Sequence, residues 1–137
     1  YRGQCAEFCG ASHAMMAFET VILEPAAFDD WLAAEAVPAR APATPEETRG
    51  AELFRDEGCG ACHAIRGTDH VATIGPDLTH LGSRNSLGAG ILEVTRADLA
   101  QWLTHTGEIK PEVAMPAYDW LGPEDLTALA AYLESLK

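Results

Sequence analysis

The sequence is poor in basic residues and contains no long hydrophobic run. Its 137 residues include 9 Lys and Arg against 21 Asp and Glu, which gives a formal net charge of −12. This balance excludes nucleic acid as a partner, because phosphate groups must be neutralised by basic side chains. No apolar run approaches the roughly 20 residues that a transmembrane helix needs. We therefore expect no membrane span and no signal peptide within these residues. Because the sequence opens on Tyr1 rather than Met, in the middle of a motif, we expect it to be part of a longer protein.

Aromatic residues are also scarce, at 7% of the chain, although 47% of the residues are hydrophobic. A chain of this length and apolar content can bury a core of ordinary size. With so few aromatic side chains, that core must depend on aliphatic residues or on a bound cofactor.

Composition divides the chain into three zones, at residues 1–35, 36–44 and 45–137. In the first zone, Ala17–Glu24 has the β-branched and aromatic content of a strand, which Pro25 ends. A short amphipathic helix follows, predicted by the spacing of Phe28, Trp31 and Leu32. The second zone is rich in Ala and Pro and is predicted to be a semi-rigid linker.

Helix-start signals recur through the third zone. Thr44 and Glu47 form a capping box, and Thr95 and Asp98 repeat the signature. Pro123 opens the last helix at its first turn. These signals predict a mainly α fold for the third zone.

The third zone also contains the motif C-x-x-C-H, in which Cys59, Cys62 and His63 have the spacing of a covalent c-type haem site. Two thiols on one helical turn can reach the two vinyl groups of one porphyrin, while the imidazole binds the iron. One alternative is a redox cysteine pair, which would require a βαβ context. The other is half of a zinc site, but the remaining pair, Cys5 and Cys9, has the spacing C-x-x-x-C.

Met115 is the candidate for the sixth iron ligand. It is the only methionine of the third zone, and Pro116 follows it in a predicted loop between two helices. A methionine ligand raises the reduction potential, which suits an electron carrier. The alternative is a second histidine ligand, supplied by His70, His80 or His105.

From residue 44 onward the chain resembles a class I cytochrome c domain, with a helix before C-x-x-C-H, the turn Gly75–Leu78, a Met-Pro loop and a C-terminal helix. The resemblance implies that His63 and Met115 ligate the haem iron, and that the Pro76 carbonyl accepts a hydrogen bond from His63. It suggests Arg84 as a partner of a haem propionate. It also implies a crossing of the first and last helices at Gly50, Phe54 and Tyr132.

A second set of metal-ligand residues lies near the start of the chain. Cys5, Cys9, His13 and Met16 offer two thiolates, an imidazole and a thioether within twelve residues. Such soft or borderline ligands select copper or zinc over magnesium or calcium. The alternative is a pair of buried cysteines beside an incidental histidine and methionine.

This string resembles the binuclear copper (CuA) loop of subunit II of cytochrome c oxidases. The resemblance implies that the two cysteines bridge two coppers, that His13 and Met16 complete one copper each, and that Glu7 contributes its backbone carbonyl. Met15 fits the spacing less well and is expected to be a packing neighbour. A further histidine of that family lies upstream of the loop, so we expect the copper site to be incomplete within these residues.

A CuA loop, a linker and a cytochrome c domain in one chain resemble the C-terminal part of subunit II of caa-type haem–copper oxidases. The implied fold is a class I cytochrome c fold preceded by the terminal β segment of a cupredoxin-like domain. The implied function is electron transfer from an upstream cytochrome or membrane donor, through the haem and the copper pair, to catalytic subunit I, where dioxygen is reduced. No residue here is predicted to be a general acid or nucleophile.

The same resemblance predicts a location at the periplasmic or outer face of a bacterial membrane, with the anchor in parts outside these residues. Two other functions remain open. A nitrous oxide reductase with a fused cytochrome also has a CuA loop, but that family has an aromatic residue where this chain has Glu7. A soluble haem-only cytochrome c would bind no copper.

Overall fold

The computed structural model describes all residues 1–137 and is mainly helical, as the sequence predicts. Strands β1 (Arg2–Gln4) and β2 (Ala17–Glu19) form a small antiparallel sheet. They are followed by four helices, namely α1 (Pro25–Glu35), α2 (Pro45–Asp56), α3 (Arg96–Ile109) and α4 (Pro123–Ser135). None of these helices is both long and apolar enough to cross a membrane.

Strand β2 is shorter than the predicted strand at Ala17–Glu24. It pairs with β1 in the register Arg2 to Glu19 and Gln4 to Ala17, and β1 ends there. Thr20 still exchanges two backbone hydrogen bonds with Tyr1, each 2.8 Å long. Residues 21–24 have no neighbouring strand to bond with and are exposed. The β-branched residues of this stretch are therefore compatible with a strand, but the structure gives it no partner.

Helix α1 forms as predicted, but its apolar side chains are not buried in this structure. Phe28, Trp31 and Leu32 are each about half exposed. The phenylalanine and tryptophan rings contact each other, with centroids 5.6 Å apart. Proline at the first position of the helix suits its start, because the missing N–H would have no partner there.

Helices α2 and α3 begin at the predicted capping boxes. The Thr44 side chain accepts a hydrogen bond from the Glu47 backbone N–H, and the Thr95 side chain does the same for Asp98. Each bond satisfies one of the backbone donors that a helix start leaves free.

Helices α2 and α4 cross at Gly50 and make the most extensive helix contact in the molecule. A Cβ atom at Gly50 would lie 2.1 Å from the Ala128 carbonyl oxygen, so only glycine permits this approach. Next to it, the rings of Phe54 and Tyr132 pack edge to face at 5.9 Å. The crossing anchors a single core that includes Leu99 of α3.

The linker, residues 36–44, lies on the helical part of the chain. The Val37 carbonyl is 3.1 Å from Nε2 of His80, and the Ala39 N–H donates to the Arg66 carbonyl. In the middle of the linker, the Arg40 guanidinium forms a two-bond ion pair with the buried Glu47. These bonds hold the linker in one conformation.

Candidate metal centres

The C-x-x-C-H motif lies on a tight turn directly after α2. Gly58 has a left-handed φ of +77°, which ends the helix and redirects the chain into a 3₁₀ turn at Cys59–Ala61. The His63 N–H bonds back to the Cys59 carbonyl at 3.0 Å. Cys59 is buried, Cys62 is half-buried, and both thiols are free of disulfides.

The His63 ring is held by its Nδ1 atom, which lies 2.7 Å from the Pro76 carbonyl oxygen. A carbonyl can only accept, so Nδ1 is the donor of this bond, and Nε2 is the ring nitrogen that remains for a metal. The residue before the proline is Gly75, where a Cβ atom would lie 2.5 Å from Cε1 of His63. The turn at Gly75–Leu78 therefore allows the close approach that orients the imidazole.

The surroundings of Cys59 are apolar. Burial raises the pKa of its thiol, while a hydrogen bond from Tyr118 acts in the opposite direction. Burial also raises the pKa of Tyr118 to about 12, so that phenol is neutral at physiological pH. Two free thiols, an oriented imidazole and an apolar neighbourhood fit a covalently attached haem.

Met115 is half-buried and packs against the core, in the loop between α3 and α4. The three histidines that could replace it have other surroundings. The ring of His70 packs edge-on against Phe54 at 5.0 Å, and Nε2 of His80 bonds to the linker. His105 is exposed. Met115 thus remains the best candidate for the sixth ligand.

Arg84 is exposed and its guanidinium donates to the backbone carbonyl of Asp77, within the turn that continues from Pro76. This bond fixes the turn that orients His63. The role of Arg84 as a propionate partner stays a prediction.

The candidate copper ligands converge around Cys9. Its Sγ atom lies 3.5 Å from Sγ of Cys5, 3.6 Å from Nδ1 of His13 and 3.5 Å from Sδ of Met16. The Glu7 carbonyl oxygen lies 3.1 Å from Sγ of Cys5. Two thiols, an imidazole, a thioether and a carbonyl are thus within reach of each other in one loop.

This donor set fits a soft metal ion. The Sγ and ring nitrogen atoms of Cys5, Cys9 and His13 lie within 4.8 Å of one another. The hydrogen bond between the Cys5 and Cys9 thiols raises the pKa of Cys9 above its ordinary value, although the nearby positive charge of Lys110 acts in the opposite direction. Metal binding must displace the thiol protons, so copper affinity should rise with pH. Met15 is exposed and is not one of the clustered sulfur donors.

Sequence reasoning missed the contact between this loop and the helical part of the chain. The Ser12 hydroxyl donates to the Pro111 carbonyl at 2.5 Å, and the Ala11 N–H donates to Oε2 of Glu112 at 2.8 Å. The partners are about a hundred positions apart in sequence. No local pattern signals such a pairing.

Comparison with known proteins gives two kinds of match. The family model for cytochrome c matches residues 47–137. Over the whole chain, cytochrome c oxidase subunit 2 of Alkalihalophilus pseudofirmus is 37% identical across 137 residues. The corresponding protein of Bacillus subtilis is 32% identical across 139 residues, which cover 98% of the chain. In both cases the match spans 39% of the relative's own length.

Proposed function

The chain belongs to the cytochrome c family, and from this premise we propose that it carries electrons from a covalent haem to a binuclear copper centre in subunit 2 of a haem–copper oxidase. In this proposal residues 45–137 form the haem domain, residues 36–44 the linker, and residues 1–35 the terminal part of the copper domain. Dioxygen reduction would be the activity of the complex, and the part of this chain in it would be to carry electrons.

The observation that carries the proposal is the presence of two separate donor sets in one folded chain. One set is the oriented His63 beside two free thiols, and the other is the cluster of soft donors around Cys9. The matches to oxidase subunits cover 98 to 100% of the chain, which favours an oxidase over a nitrous oxide reductase. A haem-only carrier would leave the second donor set without a use.

When bound, the haem and the copper pair each supply a one-electron couple, so loss of one electron from the haem iron balances gain of one by the copper pair. The protein's part is to hold and orient. Cys59 and Cys62 would tether the haem, His63 and Met115 would ligate its iron, and the Pro76 carbonyl would fix the imidazole. Attachment in one chain keeps the two centres close without a diffusional encounter.

The residues assigned to copper are Cys5, Cys9, His13 and Met16, with the Glu7 carbonyl. The partners we propose are catalytic subunit I as electron acceptor and a cytochrome or membrane donor upstream. Because haem attachment to C-x-x-C-H takes place outside the bacterial cytoplasm, the domain would face the periplasm or the outer surface. The net charge of −12 favours a donor with a basic surface.

The haem assignment is tested by absorption spectroscopy and redox titration of the haem-loaded protein. We expect a c-type α-band on reduction and a weak methionine-to-iron band in the far red. Met115→Ala should abolish the far-red band and lower the potential, whereas His105→Ala should change neither. An unchanged potential in Met115→Ala would reject methionine ligation.

Two neighbouring methionines provide a matched test of the copper assignment. Both side chains are exposed, but only the sulfur of Met16 lies 3.5 Å from Sγ of Cys9. With copper bound, Met16→Leu should shift the mixed-valence absorption and Met15→Leu should not. Haem bands with no copper absorption in the assembled oxidase would instead support a haem-only carrier.

A further inference from the structure

The segments that carry the two sets of candidate metal ligands are in contact with each other. One of them is the copper-ligand loop, residues 5–16. The other is the methionine segment, residues 110–115, which runs from the end of α3 to Met115. The cleft between them is lined by residues of both sides, including Cys9, Met16 and Val113.

Two hydrogen bonds join these segments. The Ala11 backbone N–H donates to Oε2 of Glu112 at 2.8 Å, and the Ser12 hydroxyl donates to the Pro111 carbonyl at 2.5 Å. The first is a charge-assisted bond, which is stronger than one between neutral groups. Of the two bonds, only this one uses a side chain of the methionine segment, because the Ser12 bond is accepted by a backbone carbonyl.

The backbone at Glu112 is unusual for its residue type. Its φ of +62° is left-handed, a conformation that costs an L-residue about 1 kcal/mol and that glycine adopts freely. The side chain that this position carries is the one that binds Ala11. On the opposite side, Gly10 has a φ of +120°, and a Cβ atom there would lie 3.1 Å from Oε2 of Glu112. The left-handed backbone at Glu112 and the missing side chain at Gly10 thus allow the Glu112 carboxylate to approach the copper-ligand loop.

The contact gives a short connection between the two ligand sets. From Cys9 the chain runs two residues to Ala11, crosses one hydrogen bond to Glu112, and reaches Met115 three residues later. We propose that Glu112 is a positioning residue, which fixes the copper-ligand loop against the methionine segment and so sets the separation of the two redox centres. This role rests on the proposed function.

A second contact keeps the copper-ligand region attached when Glu112 is changed. The Ala17 N–H donates to the Ala89 carbonyl at 3.1 Å, and Ala17 is buried. Glu112 itself is exposed. Its replacement should therefore leave the fold intact and loosen only the loop.

The experiment compares Glu112→Ala and Glu112→Gln with Glu108→Ala. Glu108 is an exposed carboxylate of α3 with no hydrogen bond or ion pair, so its variant matches the loss of charge. The first readout is hydrogen exchange at the Ala11 amide, measured by NMR on the reduced haem-loaded protein. The second is the rate of haem-to-copper electron transfer after flash reduction of the assembled oxidase.

We expect exchange at Ala11 to be about tenfold faster in Glu112→Ala, since a hydrogen bond to a charged group is lost. Glu112→Gln keeps an acceptor oxygen and should lie between Glu112→Ala and the wild type. Glu108→Ala should match the wild type. The electron-transfer rate should fall several-fold in Glu112→Ala, with both metal spectra unchanged.

Each other outcome overturns a stated part of the proposal. Unchanged exchange at Ala11 in Glu112→Ala would show that the contact does not hold the loop. Faster exchange with an unchanged transfer rate would reject the positioning role. If the wild-type protein transfers no electron from haem to copper, the proposed function fails, and the positioning role fails with it even when the exchange result stands.

Discussion

The crossing of α2 and α4 at Gly50 gives the sharpest prediction about stability. In Gly50→Ala, the new Cβ atom would lie 2.1 Å from the Ala128 carbonyl oxygen and 2.6 Å from Cβ of Tyr132. The first of these atoms belongs to backbone, which cannot rotate away. The two helices must therefore separate by about 1 Å to reach ordinary contact distances.

The cost follows from the packing around the crossing. Forcing an extra carbon into a well-packed core costs about 1 to 3 kcal/mol, and a collision with backbone belongs at the upper end. Alanine regains up to about 1 kcal/mol over glycine through helix propensity. We expect a net loss of about 2 kcal/mol in the free energy of unfolding. For a domain of this size, that lowers Tm by about 8 to 16 °C.

Thermal unfolding of the haem-loaded protein, followed by circular dichroism, measures this loss. Gly107→Ala is the control, because Gly107 lies in α3, is exposed, and has no atom within 4 Å of the position of a Cβ. That variant should be slightly more stable than the wild type. Equal effects of the two substitutions would refute the crossing as the origin of the loss.

Three further predictions concern single side chains. The Arg40 bonds lower the pKa of Glu47 from 4.5 to about 2, so this group stabilises the fold above pH 4.5 and loses that effect as the pH falls towards 2. Glu47→Gln should therefore be less stable at neutral pH and approach the wild type near pH 2 in acid unfolding curves. A stability difference between the two proteins that is the same at pH 2 and at neutral pH would contradict this role of Glu47. Thr95→Ala removes the side-chain acceptor of the Asp98 N–H and should cost about 1 kcal/mol in denaturant unfolding; an unchanged midpoint would exclude the cap. Gly75→Ala places a Cβ atom 2.5 Å from Cε1 of His63 and should shift the haem potential, which a redox titration measures. An unaltered potential would show that the imidazole is not held by this turn.

The helices were predictable because their signals are local. Thr44 and Thr95 each have an acidic residue three positions later, and both cap a helix in the structure. Because Pro123 suits a first helical turn, it located α4. The haem site was predictable for the same reason, since its chemistry needs the two cysteines and the histidine within five consecutive residues.

The features that sequence could not predict depend on distant partners. The strand at Ala17–Glu24 was predicted too long because its length depends on β1, which offers three residues of pairing. The exposure of the apolar side chains of α1 could not be predicted either, because their spacing is the same as in a helix with one buried face. The bond from Ala11 to Glu112 joins residues 101 positions apart. Only the folded chain brings them together.

Time-resolved absorption of the assembled oxidase tests the central claim most directly, namely that one chain passes electrons from its haem to its copper pair. After flash reduction of the haem, we expect the α-band to decay and the near-infrared copper absorption to bleach with the same rate constant, whatever the protein concentration. A reduced haem that persists while the copper absorption stays constant, or a rate that rises with protein concentration, would contradict transfer within the chain.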